Sequence, residues 1–147
     1  MKKLTDGQVA NLLLLKAMED GVGTAEGWDS LNDVIDDIFA NNAVDIDDVM
    51  QGVMELTQLG LINSDIQNEE DLEMSEAVGY DIEGLTPDGE KYVEEYLKQG
   101  TEQDVKQDME QWNPTVKEKF IARFNQISDV CGKISENGIV KLIGTFI

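Results

Sequence analysis

The sequence predicts a mainly α protein with a small β element, followed by a helical extension. Three observations carry this α+β reading. Apolar residues recur at helical spacing through most of the first sixty positions. Two short apolar runs, around Leu61–Ile62 and 78–85, are bounded by turn residues and suit a pair of strands. Beyond residue 100, "NP" at Asn113–Pro114 separates two further helical stretches.

The first helix is expected from about Gly7 to Glu19, capped by Asp6. Val9, Ala10, Leu12, Leu13, Leu14, Leu15, Ala17 and Met18 cover nearly its whole circumference, with Asn11 and Lys16 as polar exceptions. A helix apolar on most sides needs cover on more than one side. That cover would come from the chain's own extension or from another subunit. "DGVGTAEGWD" then forms a loop. Ser30 caps a second helix, and Asp33 sits in its stabilising first turn. Leu31, Val34, Ile35, Ile38 and Phe39 make its apolar stripe. "ANNAV" reads as a short turn. A third helix follows, capped by Asp45 or Asp47 and stopped by Gly60. Its inward residues are Ile46, Val49, Met50, Val53 and Leu56. Asp47, Asp48, Gln51, Glu55 and Gln58 share the other face. Leu61 and Ile62 start a strand, "QNEEDLEMSEA" is read as an acidic loop, and "VGYDIEGL" returns as the second strand. Thr86 and Pro87 open a fourth helix as its cap and first residue.

Three helices, strand, loop, strand and helix follow one another in the order of a winged helix. The phrases "MELTQLGLI" and "YDIEGLTPDGEKYVEEYL", in this order and spacing, resemble small bacterial winged-helix proteins of the MarR and PadR kind. The resemblance covers about residues 4–97 and implies a winged-helix domain over residues 4–98. It implies that the third helix is the one that reads DNA in related proteins. The wing would then carry Glu69, Glu70, Asp71, Glu73 and Glu76 at its tip.

The extension, residues 101–147, begins with a short helix placing Val105, Met109 and Trp112 on one side. A longer helix is expected from about Thr115 to Ser135. Phe120, Phe124, Ile127, Cys131 and Ile134 are spaced as a heptad-like seam. Such a seam packs on the first helix of the same chain or pairs two subunits. The helices outside the reading head of the proteins it resembles commonly build a dimer, so a homodimer is one expectation. "GIVKLIGTFI" is apolar and is expected to dock into the protein rather than onto a membrane.

Charge narrows the function. The chain of 147 residues carries 31 acidic and 11 basic residues, a formal net charge of −20. Between Lys16 and Lys91 there is no Lys or Arg, and the interval from Ala17 to Glu90 holds 21 acids. After Pro114 the sign reverses, with Lys117, Lys119, Arg123, Lys133 and Lys141 against Glu118, Asp129 and Glu136. Phosphate backbones are bound through cations, so the balance opposes nucleic acid and anionic membranes alike. A solubilising surface is the plain alternative reading of the acids.

No catalytic or metal chemistry is expected. The absence of histidine removes His bases, His-based triads and His-containing zinc sites. The one cysteine, Cys131, has no activating neighbour, because Lys133 at i+2 points to another side of the helix. "DIDD" fails as a calcium loop: counting from Asp45, Val49, Met50 and Leu56 fall where a ligand, a glycine and a glutamate belong. No cofactor is implied. No leader or membrane-spanning segment is apparent, which points to the cytoplasm.

DNA reading by the third helix meets the same obstacle locally. Gln51 and Gln58 suit adenine, but Asp47, Asp48 and Glu55 beside them repel phosphates. Two like charges at 4 Å cost about 1 kcal/mol in water and about 4 at an effective dielectric of 20. The leading expectation is therefore an acidic protein–protein interaction module whose partner-binding row is Asp47, Asp48, Gln51, Glu55 and Gln58. Its partner would be a protein with a basic surface. The alternative is a dimeric winged-helix transcription regulator that binds DNA with cations drawn from elsewhere, such as Lys2, Lys3 and the last helix.

Overall fold

A computed structural model describes residues 3–98, 102–130 and 143–144. Over these residues the protein is mainly α with one small antiparallel sheet. Helix α1 (Asp6–Gly21) is the centre of the molecule, with Val9, Ala10, Leu12–Leu15, Ala17 and Met18 all buried. It packs against α2 (Leu31–Phe39) and α3 (Ala43–Gln58) on one side. The second layer comes from this chain: α7 (Pro114–Val130) lies along α1, and α5 (Pro87–Lys98) also touches it. This arrangement explains a helix with apolar residues almost all round.

Local chemistry sets the element ends, and two expected caps are corrected. The N-cap of α1 is Thr5 rather than Asp6. Its hydroxyl accepts from Gln8 N at 3.2 Å, and its own N–H donates to Gln8 Oε1 at 3.1 Å, a reciprocal box. The N-cap of α3 is Asn42 rather than Asp45 or Asp47. Asn42 Oδ1 accepts from Asp45 N, so the helix starts inside the stretch expected to be a turn and places Asp45 in its first turn. At α2 the N-cap is Ser30, as expected, and Asp33 Oδ2 in the first turn accepts from Ser30 N at 3.1 Å. Gly60, at φ 75°, ends α3 with Gly60 N donating to Thr57 O and Leu61 N to Leu56 O. Those are the two bonds of a Schellman stop.

Strand β1 (Ile62–Ser64) pairs with β2 (Ile82–Leu85), with a bulge between Asn63 and Ser64. The segment between them corrects the largest expectation. Glu69–Val78 is a helix, α4, and the second strand is only four residues long. Asn68 caps α4 by accepting from Asp71 N at 2.9 Å. Glu69, Glu70 and Asp71 therefore occupy a helix first turn, where the dipole favours them, instead of a loop tip.

Helix α5 is tied to β1 by Thr86. Its N–H donates to Leu61 O at 3.0 Å, its hydroxyl donates to Gly60 O at 2.7 Å, and that hydroxyl accepts from Gly89 N. A β-carbon on Gly89 would stand 2.1 Å from Leu61 O, so glycine is required where α5 passes the turn between α3 and β1.

Helix α6 (Glu102–Glu110) buries Val105 and Met109, and Trp112 follows. Asn113 Oδ1 then accepts from Thr115 N at 2.9 Å, with Pro114 as the first residue of α7. Phe120, Phe124 and Ile127 face this chain's own core and are at most 4% exposed. Of the candidate seam, these three residues pack within the chain, against the layer that includes α1. Cys131 and Ile134 lie outside the described residues, as does most of "GIVKLIGTFI", although Ile143 is fully buried. No helix among the described residues is long and apolar enough to cross a membrane.

Candidate functional site

The expected partner-binding row on α3 is divided between two neighbours. Toward α7 its acids meet cations. Arg123 is buried, at 5% exposure, amid the Phe120, Phe124 and Ile127 stripe. Its Nε and Nη2 donate to Asp45 Oδ1 at 3.2 and 3.1 Å, and Nη2 also donates to Asp48 Oδ2 at 2.9 Å. Lys119, one turn earlier, reaches the same Asp48 oxygen at 3.2 Å. Burial alone would raise the Asp48 carboxyl, but the Arg123 and Lys119 bonds outweigh it and hold the group below the ordinary carboxylate range. The reversal of charge in the extension thus has a local use. Below this clasp Gln51, Glu55 and Asn11 line a cavity of about 210 Å³ with Lys119, Phe120 and Arg123.

Toward α4 the same helix borders a larger groove of about 440 Å³. Its deeper lining is Met50, which is buried, with half-buried Ile46, Leu72 and Tyr80. Exposed Asp47, Glu73 and Glu76 stand at its edge, joined by Asp48, Gln51 and Ser75. No cation lines it. Of the expected row, Asp47, Asp48 and Gln51 border this groove. Glu55 lies on the α7 side only. Gln58 is exposed near the helix end, where Nε2 donates to Gln67 O at 3.1 Å. Of the expected wing acids, Glu73 and Glu76 face the groove, while Glu69, Glu70 and Asp71 do not line it.

Both groove walls are anchored. Beneath α4, Gln67 N donates to Asp71 Oδ2 and Ile66 is buried. Asp65 and Asp81 exchange two bonds, with Asp65 N on Asp81 O and Asp81 N on Asp65 Oδ1. Asn32 ties α2 to the returning strand, donating to Tyr80 O at 3.1 Å and accepting from Ile82 N at 2.7 Å. The Tyr80 hydroxyl donates to Asp36. Burial, then this bond to a carboxylate, raises the phenol above its ordinary value and keeps it protonated.

Sequence reasoning missed Arg123 as a site residue, and it placed Glu76 at a wing tip rather than at the edge of a groove. Arg123 had a signal: it is the chain's single arginine and falls within an apolar stripe, where an unpaired cation is costly. The groove had little signal, because α4 buries no residue and so shows no clear apolar period. Among the described residues no three carboxylates or thiols converge where a metal ion could sit.

No family model, curated protein or solved structure matches the chain.

Proposed function

We propose that this protein is a non-catalytic, cytoplasmic winged-helix protein that serves as an acidic protein–protein interaction module. Its partner presents a basic surface, and its third helix does not bind DNA. One observation carries the reading: Asp45 and Asp48, at the start of the helix that would enter a DNA groove, are held by Arg123 and Lys119 of α7. Those two carboxylates are already engaged by their own chain. The acids left on α3 and α4 are not offset by any Lys or Arg lining their groove. Phosphates approaching this face meet like charge, whereas a cationic protein surface meets complementary charge and associates faster at low salt.

The test has two arms at low salt: gel shift with mixed genomic DNA fragments, and anisotropy titration with a labelled Lys- and Arg-rich helical peptide. The expected outcome is peptide binding that weakens with salt and no DNA shift. Tight DNA binding with no peptide binding overturns the proposal.

A further inference from the structure

The groove between α3 and α4 is more specific than an acidic surface. At about 440 Å³ it lies within the roughly 300–1,000 Å³ of ligand-sized sites. Its depth is apolar, from Ile46, Met50 and Leu72, and its edge is acidic, from Asp47, Glu73 and Glu76. A neutral apolar ligand leaves that edge unanswered. A purely polar cation leaves the apolar depth in water. An occupant that satisfies both carries an apolar anchor with ammonium or guanidinium groups beside it. Lys and Arg side chains also lay their own methylene stems along apolar surface while their heads reach charge. Tyr80 also lines the groove, and an aromatic side chain there is compatible with a cationic neighbour.

We infer that this groove is the docking site for a short amphipathic basic segment of a partner protein. One apolar side chain of that segment would enter the groove over Met50 and Leu72. Flanking Lys or Arg residues would meet Asp47, Glu73 and Glu76. The inference rests on the interaction-module reading and names the site and the chemistry of its partner. The chain already displays such recognition once: α3 presents Asp45 and Asp48 to Arg123 and Lys119, cations one helical turn apart beside Phe120 on an amphipathic helix. The groove lies on the other side of Asp48 and lacks a comparable cationic occupant.

The experiment uses the full chain and a fluorescein-labelled peptide of alternating Leu and Lys/Arg turns, read by anisotropy. Three variants are compared after circular dichroism shows unchanged melting. E73K/E76K reverses the groove edge. Leu72→Gln removes apolar lining without changing charge. E26K/E94K makes the same charge change on exposed residues that do not line the groove. Both groove variants should bind at least about tenfold more weakly, near 1.4 kcal/mol, and E26K/E94K should lose much less. Replacing the peptide's Leu with Asn should weaken binding similarly. If all charge-reversed variants lose affinity equally and Leu72→Gln binds normally, the groove inference is overturned while the acidic-module reading survives. If the wild-type chain does not bind the peptide even at low salt, both are overturned.

Discussion

Arg123 shows how one side chain can decide what a surface does. Its guanidinium takes Asp45 and Asp48 together while its neighbours Phe120 and Phe124 fill the core. Replacing it by Met keeps much of the volume but leaves the two carboxylates facing each other. Hydrogen bonds to charged groups contribute about 1.5–3 kcal/mol. Since the Asp48 side chain is 40% exposed, R123M should cost about 2 kcal/mol, less than breaking a fully buried pair. Urea unfolding measures this. A cycle with Asp45→Asn should be non-additive, and additive losses would mean that the pair is not coupled. Gly89 makes a second prediction at this scale. A methyl group there meets Leu61 O, a backbone atom held by Thr86, so Gly89→Ala should destabilise by about 1–3 kcal/mol or more. An unchanged urea midpoint would remove the close contact from the account. The phrase "LTPDGE" was legible as cap and helix start, but the need for glycine was not. That need depends on the Leu61 carbonyl, from the distant turn before β1, lying against the helix, which no local pattern encodes.

At the scale of elements, what could be read followed burial. The stripes of α1 and α2 and the stop of α3 were legible because apolar periodicity and Gly60 are local signals. Helix α4 was not, because it has no fully buried residue and its clearest local mark is the Asn68 cap before three acids, which reads equally as a loop. The divided row on α3 was not legible either, since nothing in residues 43–58 announces that α7 returns to bring Arg123 and Lys119 to Asp45 and Asp48. Where α1 meets β2 and α5, a small charge cluster gives a pH prediction. Glu19 Oε2 accepts from Leu85 N at 2.7 Å, yet burial raises its carboxyl above the ordinary range, with Glu90 adding to the effect. Its folded value exceeds its unfolded value. The folded state therefore holds the extra proton, and stability falls as pH rises from the ordinary carboxylate value through the raised one. Glu19→Gln keeps an acceptor for Leu85 N and removes that loss, so its urea midpoint at neutral pH should equal or exceed wild type. Asp48 acts oppositely. Its lowered value supplies stability above the ordinary carboxylate range that is lost as pH falls through the folded value. R123M should remove much of this acid-limb dependence, which midpoints measured below the ordinary carboxylate range would reveal.

For the whole molecule, the architecture and the charge act together. Helix α1 is covered on both sides by one chain, so the extension completes the fold rather than hanging from it. Phe120 is central to that cover, 1% exposed with Trp112 at 5.4 Å and Phe124 at 6.1 Å between ring centroids. Phe120→Ala should cost about 3–5 kcal/mol. A loss of that size, seen as one cooperative transition in both far- and near-ultraviolet circular dichroism, would show the two layers unfolding together. Two separate transitions would show that the extension folds apart from the rest. The net charge of −20 works against this compactness, because like charges repel across the surface. Salt shortens their reach to about 10 Å at 0.1 M. It also weakens the attractive pairs, but the strongest of them is anchored by Arg123, which is almost wholly buried and therefore little screened. Repulsion among exposed acids is the larger screened quantity. Added sodium chloride should therefore raise the melting temperature, even as it weakens binding of a basic peptide to the groove. These opposite slopes come from one surface: the acids that strain the isolated fold are those a cationic partner would neutralise. A melting temperature that fell with salt would mean that the pairs of Lys119 and Lys16, which salt does reach, contribute more than the acidic surface costs.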